Sequence, residues 1–418
     1  MSSASQIVHA TSAQFSRQKS IQRAMLFGGF SSFSTLYCVQ PLMPLLADSF
    51  QLSAAQSSWI LSISTLCLSL SLVICSMLSE FLGRKPMMIW AVSISAGTTL
   101  LCSVVQSYPQ LLALRALLGI ALGGMPAVAF AYLSEEVEPG ALSSTIGLYI
   151  AGSVLGGMSG RLLNALLCDF FSWQVAFAIM GTIGLYSAWE FWLHLPPAIH
   201  FKPMQVRTNA STQTNTKAST QSQLTSMVEG FRLHLTQPSL LILFALGFIL
   251  TGCFTSFYNY LSFRLVAAPF HFSQAYLGAI SIFYLLGMAS SIWVGSLSKR
   301  HSRYRLIQLA AFCMLLGLLL TLSSNIVLII AGTSLFTFCF FAAHSVASST
   351  IAQLAQAPKA LASAIYLFCY YCGASVLGAV GGTFWGYFSW NGVIFFQSSL
   401  LVLAFVMVTQ LKEHPRSI

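Results

Sequence analysis

Apolar stretches close to twenty residues or longer, separated by short polar breaks, recur along the whole chain. They run over 24–47, 56–79, 86–107, 109–133, 141–168 and 173–195, and again over 239–263, 273–298, 305–323, 325–356, 360–386 and 390–411. A helix of about 20 apolar residues crosses the roughly 30 Å hydrocarbon core of a bilayer. The pattern therefore predicts an all-α membrane protein with twelve transmembrane helices. The one long polar stretch lies at 196–237, where Ser211–Gln223 reads STQTNTKASTQSQ. Such a Ser/Thr/Gln-rich segment cannot pack a core and reads as a flexible linker. The expected organisation is a cytoplasmic N-terminal tail (1–23), a six-helix half (24–195), a cytoplasmic linker (196–237), a second six-helix half (238–411) and a cytoplasmic tail (412–418).

Composition agrees and removes the alternatives. Of 418 residues, 56% are hydrophobic and only 7% are charged, against about 25% in soluble proteins. That rules out a soluble globule and a disordered chain. The net charge of +10 invites a nucleic-acid reading until the charges are placed. With the N-terminus inside, sixteen of the nineteen Lys and Arg fall in cytoplasmic segments, as the positive-inside rule requires. The exceptions are Arg115, Arg161 and Arg264. The basic residues thus set topology; the partner is the lipid bilayer, with no nucleic acid, and both termini are expected in the cytoplasm. The ten cysteines lie in or beside apolar runs and read as small hydrophobes. Cys369 and Cys372 have CxxC spacing but lack a redox βαβ context. The polar residues 1–22 precede a first apolar run long enough to span, so no cleavable signal is expected.

The halves carry traces of a repeat, a common feature of transporter folds. A shift of 219 residues places Gln40 on Asn259, Ser62 on Ser281 and Pro139 on Pro358. At 222, Ser153–Gly156 falls on Ser375–Gly378, and at 217, Phe171–Trp173 falls on Phe388–Trp390. Span five carries Gly152, Gly156 and Gly160, and span eleven Ala374, Gly378 and Gly382, each set lining one helix face. Small residues at this spacing let helices approach closely in lipid.

Several segments resemble the major facilitator superfamily, and within it bacterial drug/proton antiporters. SMLSEFLGRKP, Ser76–Pro86, is similar to the family's G-x-L-[AS]-D-R-x-G-R-[KR] loop, with Ser76 for Gly, Glu80 for Asp and Phe81 for the first Arg. Gly295–Arg305 is a degenerate second copy. The resemblance implies a gating role for Glu80, Gly83, Arg84 and Lys85, with topology determination as the alternative for the two cations. Span four resembles the family's R-x-x-x-G-x-x-x-G helix through Arg115, Gly119 and Gly123. Ala151–Arg161 is similar to its antiporter motif G-P-x-x-G-G, with Ser153 in place of the proline. The resemblance implies two pseudo-symmetric halves in the major facilitator fold, alternating access about a central site, and a monomeric protein in the bacterial cytoplasmic membrane.

Charges inside spans carry an insertion penalty of about 2.5–3.5 kcal/mol and commonly face a cavity or a partner. Arg115 and Arg161 are accordingly candidates for contact with a small organic solute. Arg115 could instead reach the outer interface, and Asp169 could neutralise Arg161. Tyr37 and Gln40 on span one, Tyr258 and Asn259 on span seven, and Tyr370 on span eleven are further cavity candidates, each with helix packing as its alternative. Relatives commonly place a carboxylate in span one, whereas 24–47 holds none. Protons are an expected partner, and Glu190, His344 and Asp48 are the candidates for carrying them. Two arginines without a span-one acid favour a neutral or anionic solute. Export by proton antiport is the expected mode, with proton symport or facilitated uptake as alternatives and a non-transporting receptor or scaffold as a distant one. Glu135, Glu136 and Glu138 cluster in an inner loop, but no catalytic constellation, metal-ligand set, phosphate loop or cofactor motif accompanies them, so no enzyme, metal or cofactor is expected.

Overall fold

The computed structural model describes residues 3–199, 201, 229–355 and 359–411, and among them all regular structure is helical. Most of the linker and the C-terminal tail (412–418) therefore lie outside the described residues, as does Pro358. Fourteen helices are used below: α1 Ser3–Tyr37, α2 Met43–Phe50, α3 Ala54–Leu82, α4 Arg84–Leu101, α5 Tyr108–Leu122, α6 Pro126–Glu136, α7 Pro139–Phe170, α8 Trp173–His194, α9 Pro238–Val266, α10 Gln274–Ala279, α11 Tyr284–Leu297, α12 Arg303–Leu320, α13 Ile326–Leu354 and α14 Lys359–Thr409. Nine helical segments among the described residues are long and apolar enough to cross a membrane. The last, Leu361–Thr409, is broken at Ser389, whose φ of 51° leaves the helical region, so it supplies two of the expected spans. α1 and α8 occupy the expected first and sixth spans, diluted by polar residues at the start of α1 and by Glu190 and several tryptophans in α8.

The first span departs from a single helix over 24–47. It already runs from Ser3, the first described residue, with neither Gly nor Pro to interrupt it before Gly28. It stops at Tyr37, followed by a 3₁₀ turn at Gln40–Leu42. Pro41 has no N–H to give Tyr37, and Pro44 repeats the interruption, so the helix ladder fails there.

The chain divides into two compact units. The first comprises Met1–Leu52, Trp59–Pro203 and His271–Ser281; the second comprises Ser53–Ser58, Met204–Phe270 and Ile282–Ile418. Within the first unit, α1 lies along α7 with Gly152, Gly156 and Gly160 against the backbones of Leu26, Phe30 and Ser34. Gly119 of α5 and Gly123 just after it press in the same way onto Ser64 and Ser71 of α3.

Within the second unit, α9 packs along α14. Here the glycines facing α9 are Gly373, on Phe248, and Gly381, on Ser256. The ridge expected from Ala374, Gly378 and Gly382 is thus shifted by one position, and Gly382 meets Ala55 and Tyr260 instead. One residue rotates a helix face by about 100°, and tertiary packing chooses the face. The corresponding contacts of α1 and α9, Leu26 with Phe248 and Ser34 with Ser256, lie 222 residues apart. In that register Asn259 corresponds to Tyr37, and Gln40 to Ser262, rather than Gln40 to Asn259.

Candidate functional site

The break in the first span creates the polar centre of the first unit. Helix ends leave their last carbonyls without intrahelical donors, and in a bilayer water cannot replace them. Arg115, completely buried, answers this need from α5: Nη1 donates to Thr35 O at 2.9 Å, Nη2 to Leu36 O, and Nε to Ile60 O of α3 at 3.1 Å. The serine ladder of α3 returns the contact, Ser64 Oγ donating to Arg115 O at 2.8 Å. Asn164 of α7 holds the next part of the break through Nδ2 to Cys38 O at 3.0 Å. Three of Arg115's five donors therefore serve backbone carbonyls. It does not extend to the outer interface.

Arg161, three residues before Asn164, faces the other side of this break. Its Nε donates to Gln40 Oε1 at 2.7 Å, Nη1 donates to Gly157 O at 2.7 Å, and the guanidinium lies 4.2 Å from the centre of the Tyr37 ring. Tyr37, Gln40 and Arg161 are thus brought into one cluster. Both Arg161 and Gln40 are almost fully buried. These contacts position the guanidinium beside Gln40 and the Tyr37 ring. Asp169 is used elsewhere, accepting from Ser273 Oγ at 2.7 Å and from the backbone N–H groups of Gln274 and Ala275 at the start of α10.

The second unit holds an aromatic cluster. Phe254 stacks on Phe340 at 3.9 Å, Tyr258 O–H shares a 2.7 Å hydrogen bond with Thr337 Oγ1, and Tyr258 lies 5.3 Å from Tyr284. His344 extends it, with Nδ1 2.8 Å from Tyr366 O–H and its ring 4.8 Å from Tyr370. Asn259 is fully buried beside Tyr258 on α9. His344 thus meets phenols rather than a carboxylate.

The other proton candidates sit in different settings. Glu190 accepts from Arg23 at 2.7 Å and from Tyr186 O–H at 3.3 Å, with His194 Nδ1 3.2 Å away. Asp48 is exposed near the end of α2.

At the turn between α3 and α4, Gly83 takes φ +93°, a left-handed conformation in which a side chain is strained. That turn starts α4 directly at Arg84, whose buried guanidinium bonds Glu80 at 2.7 Å, Ser79 Oγ at 2.6 Å, and both oxygens of Glu135 at 2.8 and 3.2 Å. The bidentate Glu135 contact was not legible from spacing, because 51 residues separate the partners. Its neighbour Glu136, its side chain fully buried, pairs with Arg17 at 2.6 Å. Lys85 Nζ donates to Leu195 O. Glu80 and Arg84 therefore share one polar network at the Gly83 turn, while Lys85 reaches the chain that follows α8. The ten cysteines are free thiols, and among the described residues no group of three metal-ligating side chains gathers.

The comparisons with known proteins agree with this architecture. The family model for the Major Facilitator Superfamily matches residues 25–373. The chain is 41% identical over 414 residues to the inner membrane transport protein YnfM of Escherichia coli, covering 99% of this chain and 95% of that protein. It is 40% identical over 390 residues to a transporter of Buchnera aphidicola from Schizaphis graminum, covering 93% and 91% of the two chains. Among solved structures, the nucleoside transporter NupG aligns with a TM-score of 0.74 over 94% of this chain and all of its own, at 14% identity, a likeness of fold alone.

Proposed function

The chain belongs to the major facilitator superfamily, a multi-pass membrane transporter and not an enzyme, and from that premise we propose that it exports a small neutral or anionic organic solute from the cytoplasm in exchange for protons. The membrane is the bacterial cytoplasmic membrane, as for the E. coli relative. The observation that carries the solute class is the Arg161 cluster: a buried guanidinium held by Gln40, Gly157 O and the Tyr37 ring. A guanidinium held in low dielectric attracts an anion or a strong acceptor and repels a cation. Arg115, by contrast, acts as a staple that ties the end of α1 to α3, and so fixes where Tyr37 stands. The Ser76–Pro86 loop with Glu135 forms the inner latch of the transport cycle. His344 is the proposed proton carrier, since Glu190 is ion-paired with Arg23 and Asp48 stands exposed.

Uptake by proton symport is the second reading, and one observation favours it. In the antiporter motif of relatives a proline distorts span five, but here Ser153 Oγ donates to Tyr149 O at 2.9 Å and α7 runs unbroken over 32 residues. The deciding experiment is a screen of organic acids and neutral metabolites in proteoliposomes under imposed pH gradients of either sign. Solute movement against the proton flux supports antiport, and movement with it supports symport. An absence of movement for every solute under both gradients contradicts transport.

A further inference from the structure

The chain leaving α8 does not swing free of the first unit. Pro196 and Pro197 lack N–H groups, and Pro196 forces Leu195 into an extended conformation, observed at φ −75°, ψ 112°. The segment therefore offers only carbonyl acceptors to its surroundings. Three donors from three helices take three consecutive carbonyls: Lys85 Nζ of α4 bonds Leu195 O, Tyr132 O–H of α6 bonds Pro196 O at 2.9 Å, and Arg17 Nη2 of α1 bonds Pro197 O at 3.1 Å. Four residues further on, the Phe201 ring lies 4.7 Å from the Arg84 guanidinium carbon. The same ring stands 4.0 Å from where a Cβ of Gly83 would be.

These contacts converge on one place. Phe201 covers the left-handed turn that begins α4 and one face of the guanidinium that binds Glu80, Glu135 and Ser79. An aromatic face over an arginine attracts the cation and shields it from water, which strengthens the charge-assisted bonds on its other edges. The donor side is coupled as well. Arg17 bonds Pro197 O and Glu136 together, and Glu136 directly follows the Glu135 that binds Arg84.

We propose that the start of the interdomain linker is a strap built into the inner latch, with Phe201 as a positioning residue that holds Arg84 on Glu135. The strap joins the linker mechanically to the Gly83–Arg84 turn, so that pulling or displacing the linker loosens the latch. The proposal rests on the latch reading of the Ser76–Pro86 loop given above.

Hydrogen–deuterium exchange of the full chain in lipid nanodiscs tests it without needing the solute. The peptide spanning Ser79–Trp90 reports opening of the turn, and one within α12 serves as a remote control. Phe201→Ala and Phe201→Leu are expected to speed exchange of the Ser79–Trp90 peptide by about threefold to thirtyfold, the range of a lost cation–π contact. Phe201→Trp, which retains an aromatic face, is expected to keep protection, and the α12 peptide to stay unchanged. Adding Phe201→Ala to Arg84→Ala is expected to add little, because both act on the same contact. Unchanged protection in Phe201→Ala, or full additivity with Arg84→Ala, overturns the strap. The latch reading fails separately: if Arg84→Ala loses protection in this peptide yet transports at the normal rate, the loop does not gate.

Discussion

Replacing Gly156 with alanine puts a methyl group where the backbone of α1 already stands. An ideal Cβ at this position lies 2.7 Å from Phe30 Cα and 2.9 Å from its carbonyl carbon, and closer still to the carbonyl oxygen. The obstructing atoms are backbone, so no rotamer change relieves the clash. The two helices must part by roughly 0.5–1 Å, and a gap of that size removes about a quarter to a half of the attraction between the atoms that lose contact. Because Gly152 and Gly160 close the same seam against Leu26 and Ser34, the loss spreads along about two turns. Overpacking of this kind costs about 1–3 kcal/mol, and the better helix propensity of alanine returns up to about 1 kcal/mol. The net expectation for Gly156→Ala is a destabilisation of about 1–2 kcal/mol. Gly147, on the same helix, has open space around its Cβ direction, so Gly147→Ala gains propensity without a clash and should be neutral or slightly stabilising. Thermal unfolding of both variants in one detergent measures the contrast. A lowered midpoint for Gly156→Ala beside an unchanged or raised one for Gly147→Ala is expected. Equal midpoints for the two variants would refute the close-packed seam.

Three further outcomes follow from the polar groups. Arg161→Gln removes the positive charge from the Tyr37–Gln40 cluster and should weaken binding of an anionic solute identified in the screen by tenfold or more, the scale of a lost charge-assisted hydrogen bond of about 1.5–3 kcal/mol; isothermal titration with unchanged affinity would remove Arg161 from the solute site. His344→Gln should leave solute binding intact while transport loses its dependence on the imposed pH gradient, and retained dependence would place the proton elsewhere. Glu136→Gln breaks the pair with Arg17 beneath a fully buried carboxylate and should destabilise the chain by about 1–3 kcal/mol in reversible unfolding, less than a wholly buried pair because Arg17 keeps partial access to water; an unaltered unfolding curve would show that the pair adds nothing.

Much of this protein is written in the order of its residues, and the reason is the solvent. In lipid every backbone polar group must find its partner inside the protein, so apolar length dictates helices, and loop charges dictate an expected topology. The prolines at 41 and 44 likewise announce a broken first span, although the apolar run over 24–47 conceals it. The glycines of α7 were legible as close-approach residues because only a missing side chain permits backbone contact with Leu26 and Phe30.

What residue order could not decide is which face turns toward which neighbour, since a single position rotates a side chain by about 100° around the axis. That is why the second unit's ridge falls on Gly373 and Gly381 rather than one residue later, and why Asn259 corresponds to Tyr37. The same holds for partners separated by tens of residues. Arg115 and Arg161 look alike in sequence, each a lone cation in an apolar helix, yet packing gives one the carbonyls of a broken helix and the other Gln40 and a tyrosine face. Scarcity of charge picks out the two arginines; only the folded chain assigns them different work, because an arginine's role depends on the acceptors that tertiary structure brings within about 3 Å.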